Sequence, residues 1–252
     1  MTRERLLTPR LVLQVLLAVV ALPLLPLLVS GDWRWWQAWA YAAVSIGGFA
    51  LSRGLVARSH PDLLAERAHS LQKQDAKPWD GPLLLTMTLA AALALAVAGV
   101  ERRVATAPAL GWPLHALALA GIVGGYTLGA WAMLANRFFS GTVRIQADRG
   151  QRVISSGPYA WVRHPGYAGA LLTYLLTPLL LASPWALAPT ALAIAALLVR
   201  TAREDATLQA ELPGARVAFS TRSAGSAKES HAPLAQALGI DPARVAVNRQ
   251  VH

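Results

Sequence analysis

Six stretches of this chain are apolar over most of their length, at about residues 11–30, 37–56, 82–100, 112–135, 167–182 and 185–199. A helix needs roughly 20 such residues to cross the hydrocarbon core of a bilayer. Backbone polar groups placed there must be satisfied inside the element itself. The fold class that follows is all-α, a polytopic membrane helix bundle. Composition agrees, because 55% of the 252 residues are hydrophobic and only 14% are charged, too few to clothe a soluble domain. The last two stretches are short and joined only by Ser183-Pro184, which predicts a C-terminal helical hairpin. No small-residue cleavage site follows Leu11–Val29, so the first stretch reads as a span rather than a signal peptide.

Basic residues set the orientation. Of 23 Lys and Arg, 20 fall in the N-terminus, 53–80, 136–166 and 200–252, whereas Arg34, Arg102 and Arg103 fall on the other side. The positive-inside rule places the first group in the cytoplasm, and with it the N-terminus. An Ala- and Leu-rich chain of this kind suggests a bacterial inner membrane. The net charge of +10 then reflects topology and contact with anionic membrane lipid. Nucleic acid is a poor partner, since the charge is spread over four loops without a recognition motif. The absence of cysteine excludes disulfides and thiolate chemistry. Six histidines without HxxxH or HxH spacing give no reason to expect a metal.

Three parts are expected: N-terminal transmembrane helices over 1–135, a core with the hairpin over 136–214, and a poorly ordered cytoplasmic tail over 215–252. Trp33, Trp35, Trp36 and Trp39 read as an interfacial aromatic belt. His60 to Arg67 begins an amphipathic cytoplasmic loop that ends at Lys77-Pro78-Trp79-Asp80. Gly125 and Gly129, four residues apart, permit close helix contact in lipid. His115 reads as an interfacial polar side chain.

Polar residues at the edge of a membrane are costly unless they hold something, and two clusters stand out. Gly157-Pro158 forces a turn that presents Tyr159. Pro165 biases His164 away from helical geometry, Gly166 leaves room for close approach, and Tyr167 starts the next helix. Before them, Val143, Ile145, Val153 and Ile154 alternate with polar neighbours, which suggests a short extended stretch offering Gln146 and Gln151. The second cluster is Arg200, Arg203, Glu204 and Asp205, with Arg200 and Glu204 on one helix face. A down-and-back hairpin returns it to the side of Tyr159–Tyr167, so the two clusters converge on one cytoplasmic cofactor site.

The run Arg163-His164-Pro165-Gly166-Tyr167-Ala168-Gly169, followed by Arg200, Glu204, Asp205 and Leu208, resembles the isoprenylcysteine carboxyl methyltransferase family and the related phospholipid methyltransferases. The likeness is specific over about 136–214 and topological before that. It implies an integral membrane methyltransferase that binds S-adenosyl-L-methionine without a Rossmann domain. By the resemblance, Gln146, Gln151, Arg152, Val153, Ile154, Tyr159, His164, Pro165, Gly166 and Tyr167 contact the cofactor. Glu204 matches the acidic residue on its methionine part. Arg200 matches the arginine that engages the acceptor, and Arg163 joins it in the catalytic set. The acceptor implied is a lipophilic or lipid-linked carboxylate, amine or thiol. Gln151 replaces the family's histidine, and the chain departs from the family after Gly214. The alternatives are an NADPH-dependent membrane reductase of the sterol-reductase type and a non-catalytic membrane protein.

Overall fold

The apolar stretches that fall within the structure each become one helix. The computed structural model describes residues 17–60, 62–63 and 76–212. A π-helical turn at Leu17–Ala21 leads into α1 (Leu22–Ser30), which stops where Gly31 adopts φ 69° and returns its N–H to the Leu27 carbonyl. Then follow α2 (Trp36–Ser59), α3 (Asp80–Arg103) and α4 (Trp112–Ala135). The last pair is α5 (Pro165–Leu180) and α6 (Leu187–Glu211). No strand occurs among the described residues. At 24 residues each, α2, α3 and α4 run about 36 Å. They are long and apolar enough to cross a membrane. With 16 residues, α5 reaches only about 24 Å.

Close backbone approach sets the packing of α4 on α5, the most extensive helix contact in the bundle. A Cβ on Gly125 would meet the Gly169 carbonyl oxygen at 2.5 Å, and one on Gly169 would meet that of Gly125 at 2.4 Å. The expectation of a glycine-mediated contact is met at Gly125, whereas Gly129 faces open space. Around this pair, α6 packs on α3 and α5, α1 on α3 and α2, and α2 on α4. Leu85, Leu89, Leu93, Leu117, Leu172 and Leu192 point outward and are exposed, as lipid-facing residues would be. Exposed tryptophans ring both ends. Trp33, Trp36, Trp39, Trp112 and Trp185 lie at one, and Trp131 and Trp161 at the other.

The end opposite the candidate site is knitted by polar contacts. Arg102 pairs with Asp32 at 2.7 Å. Glu101, buried, accepts from the Ser183 hydroxyl and from the Trp185 N–H at 3.2 Å, which fastens the α5–α6 turn to α3. His115, read as an interfacial polar side chain, is buried within the bundle near that end. Its Nδ1 lies 2.9 Å from the Leu180 carbonyl, and its Nε2 lies 3.3 Å from Gln37. A helix carbonyl left over at the end of α5 needs a partner, and the ring supplies it.

The last helix carries Arg200 and Glu204 on helical backbone, as their spacing predicts, and continues past the apolar stretch to Glu211. The stretch 143–154 is a loop interrupted by a 3₁₀ turn at Ala147–Arg149, so the expected extended stretch is not continuous. The tail from 215 onward, most of the amphipathic loop (61 and 64–75) and residues 11–16 of the first span lie outside the described residues.

Candidate active site at one end of the bundle

Helix direction brings the two polar clusters together. The end of α2 and α4 and the start of α3 and α5 share one end of the bundle, and the hairpin returns the second half of α6 to it. Asp80 opens α3 there and is fully buried. Its carboxylate receives Arg200 Nε at 2.7 Å, Arg200 Nη2 at 3.3 Å and the Val143 N–H at 2.8 Å. Arg200, also buried, donates further to the Tyr167 hydroxyl at 2.6 Å and the Gly141 carbonyl at 3.2 Å. The Tyr167 hydroxyl in turn donates to Glu204. A buried charge is tolerable only when paired and hydrogen-bonded, and here both conditions hold.

Arg200 and Glu204 therefore do not form the direct pair that their spacing suggests. Tyr167 stands between them, and the counter-charge of Arg200 is Asp80, 120 positions away. One signal for Asp80 existed in the sequence, namely a carboxylate placed at the first turn of an apolar span, where a partner is required.

A second group adjoins the first. His164 Nε2 lies 2.6 Å from Asp205 Oδ1, and Arg163 Nη1 lies 3.8 Å from Asp205 Oδ2. The His164 ring stacks on Tyr167 with centroids 5.3 Å apart and planes 9° from parallel. Pro165 at the helix start keeps His164 non-helical, with φ −122° and ψ 69°, and its carbonyl accepts from the Tyr167 and Ala168 N–H groups. So backbone caps the helix while the ring is left to face Asp205.

The remaining candidates are distributed around this centre. Gly157 adopts φ 60° and Pro158 opens the 3₁₀ turn Gly157–Ala160, which buries Tyr159. The Tyr159 hydroxyl accepts from Asn136 at 3.2 Å. Burial pushes its pKa up to about 12, and the Glu204 charge adds to this against the Asn136 hydrogen bond. Gln146 and Gln151 face each other instead of the centre. The Gln146 N–H meets Gln151 Oε1 at 2.6 Å, and the Gln146 side chain bonds to Phe138 and Arg149. These contacts shape the loop. Val153 packs beside Leu208 and Leu212 at the end of α6, while Arg152 is exposed. The space that Gly166 leaves is taken by the Phe139 ring, 2.8 Å from where a Cβ would stand, so it serves internal packing.

Chemically, the centre offers a neutralised guanidinium, a carboxylate held by a phenol, and an imidazole held by a carboxylate. It contains no group of three or more His, Asp or Glu able to hold a metal among the described residues. A cavity of about 120 Å³ lies deeper in the bundle, among Tyr41, Tyr126, Tyr174 and Thr177, and does not include the polar centre.

Residues 116–210 match the model of the isoprenylcysteine carboxyl methyltransferase (ICMT) family. The matched segment holds α5, α6 and the loop before them, but not Asp80. No curated protein and no solved structure matches the chain. The matched family is one of methyltransferases, so the reductase alternative gains no support.

Proposed function

We propose that this chain, whose residues 116–210 match the ICMT family model, is a membrane methyltransferase that takes its methyl group from S-adenosyl-L-methionine and passes it to a lipophilic acceptor. The observation that carries the reading is the meeting, at one end of the bundle, of Glu204 and Asp205 from α6 with His164 and Tyr167 from the start of α5. The 20-to-3 division of basic residues supports placing that end in the cytoplasm, where the donor is made.

The residues present suit such a donor. S-adenosylmethionine supplies a sulfonium methyl, already activated for displacement. Glu204, oriented by the Tyr167 hydroxyl, provides a negative charge for the donor's ammonium group. Tyr159 offers a ring for its adenosine and keeps its hydroxyl proton at neutral pH through its raised pKa, whereas the Tyr167 ring is already engaged by His164 and Arg200. Arg200, fixed on one edge by Asp80, turns its Nη1 edge toward Tyr167 and the acceptor. Orientation of this kind contributes several kcal/mol to a displacement reaction.

Calorimetry of the full-length protein in detergent tests the reading. Wild type should bind S-adenosylmethionine, and Glu204→Ala should bind at least tenfold more weakly while remaining folded. Equal affinity in the two proteins would refute the role of Glu204, and no binding to wild type would refute the donor.

A further inference from the structure

A carboxylate in a membrane helix needs a cation beside it, or enough donors to stand in for water. Glu101, at the end of α3 farthest from the candidate site, has only part of that set. It is 4% exposed, and its Oε2 accepts from two neutral groups, the Ser183 hydroxyl and the Trp185 N–H. Its Oε1 is buried and has no hydrogen-bond partner among the described residues. Arg102, next in the chain, is committed to Asp32 at 2.7 Å instead. Ser183 and Trp185 thus account for one oxygen of Glu101 and leave the other open, which a buried polar atom rarely is.

Glu101 also forms part of the wall of a groove of about 440 Å³. Apart from Thr106, the rest of that wall is apolar. Leu93, Val97, Val100 and Val104 follow one stripe of α3 at spacings of three and four residues, and Trp185 closes the side. Leu93, Val100, Val104 and Trp185 are exposed, so the groove opens toward lipid. From Leu93 to Glu101 the helix rises about 12 Å, which carries the groove from the apolar depth of α3 to its polar end. Arg103 is exposed and lies two helical turns beyond Ala96, another residue of the wall, which puts it at the mouth. There Ala105 turns the chain with φ 56°, and the Thr106 N–H returns to the Glu101 carbonyl at 3.1 Å. An apolar floor, an open carboxylate oxygen and an arginine therefore follow one another along a single channel.

We propose that this groove holds one phospholipid with a primary ammonium head, in the leaflet at the end opposite the candidate site. One acyl chain lies along Leu93, Val97 and Val100, the phosphate meets Arg103, and the ammonium folds back to donate to Glu101. Charge complementarity selects this occupant. A phosphatidylglycerol head offers a phosphate and hydroxyls but no cation. A phosphatidylcholine head offers a cation without an N–H to donate. A primary ammonium supplies both the charge and the hydrogen bond that Glu101 lacks. The lipid is a structural component and not a substrate, since Glu101 and Asp80 stand at opposite ends of α3, about 32 Å apart. Because Glu101 fastens the α5–α6 turn to α3, its occupant steadies the hairpin from the far end.

Native mass spectrometry of the full chain tests this, after release from nanodiscs of phosphatidylethanolamine, phosphatidylglycerol and phosphatidylcholine in equal parts. Wild type should retain phosphatidylethanolamine about tenfold over either other lipid, the preference expected of a hydrogen bond between charged groups. Glu101→Gln keeps the size of the side chain and removes its charge, and should erase that preference. Val100→Trp fills the groove from an exposed position and should lose the bound lipid. Should the buried variant not fold, Val100→Trp decides alone, by retention and by Tm. Added phosphatidylethanolamine should raise the Tm of wild type in detergent and leave that of Val100→Trp unchanged. Equal retention of the three lipids by wild type overturns the proposal. So does a preference that survives both substitutions, which would put the lipid at the candidate site, or a lipid-free dimer that Val100→Trp dissociates.

Discussion

Asp80 shows how much one residue can constrain. It is the fully buried counter-charge of Arg200, and it also caps the Val143 N–H, so it ties α3, α6 and the loop before α5 to one point. Removing one partner of a buried ion pair is far costlier than removing both, because the other is left unpaired. Asp80→Ala should therefore lose about 3–5 kcal/mol in unfolding experiments, and the double change Asp80→Ala/Arg200→Met should recover much of it. Tyr167→Phe removes the hydroxyl that joins Arg200 to Glu204. Donor affinity should fall by about one to two powers of ten, as expected for a hydrogen bond to a charged group, with the fold intact by circular dichroism. The sequence made Arg200, Glu204 and Tyr167 visible through a local run of polar residues. Asp80 was hidden because its partner lies 120 positions away and its own neighbours read as a loop.

At the scale of elements, α4 and α5 meet backbone to backbone at Gly125 and Gly169, and no side chain can give way there. Gly169→Ala should cost about 1–3 kcal/mol by overpacking, seen as a lower Tm in detergent. Gly129→Ala, one turn on and facing open space, should change Tm little. The loop before α5 is pinned differently, by Arg149 on Asp62 at 2.5 Å. Burial raises the Asp62 pKa, but the Arg149 hydrogen bond and charge, with Arg137, outweigh it and the net direction is down. The stabilisation is thus complete above the ordinary carboxylate range and is lost as pH falls through the lowered value, below about pH 4. Hydrogen exchange in 143–154 should accelerate in that window and stay level above pH 5. The contribution is small, since Asp62 is half exposed to screening water. The hairpin was legible from Ser183-Pro184. Helix through Arg200 and Glu204 was legible from their spacing, but its end at Glu211 was not, because hydropathy falls at Arg200 while the backbone ladder is indifferent to the membrane edge.

Across the whole molecule, charge and polarity divide the two ends. Among the described residues, Arg34, Arg102 and Arg103 mark one, and the candidate site with the other basic residues marks the other. Because the chain has no native cysteine, single cysteines report sidedness without background. A cysteine at Arg103 should react with an impermeant maleimide from outside intact cells, and one at Arg137 only after permeabilisation. The bundle class could be read from apolar lengths, and the convergence of the two polar clusters from the Ser183-Pro184 hairpin. The loop contacts of Gln146, Gln151 and Gly166 could not, since a polar residue in a loop looks the same whether it serves a ligand or its neighbours.

One tie reaches past the recognisable domain. The guanidinium of α6 is neutralised from α3, upstream of the segment that the family model covers. A fragment cut to residues 112–212 would carry the signature motifs yet harbour an orphaned cation in its interior. Such a fragment should fail to accumulate in membranes unless the upstream helices are supplied alongside it. Any graft of this end of the bundle onto another scaffold must bring its anion along.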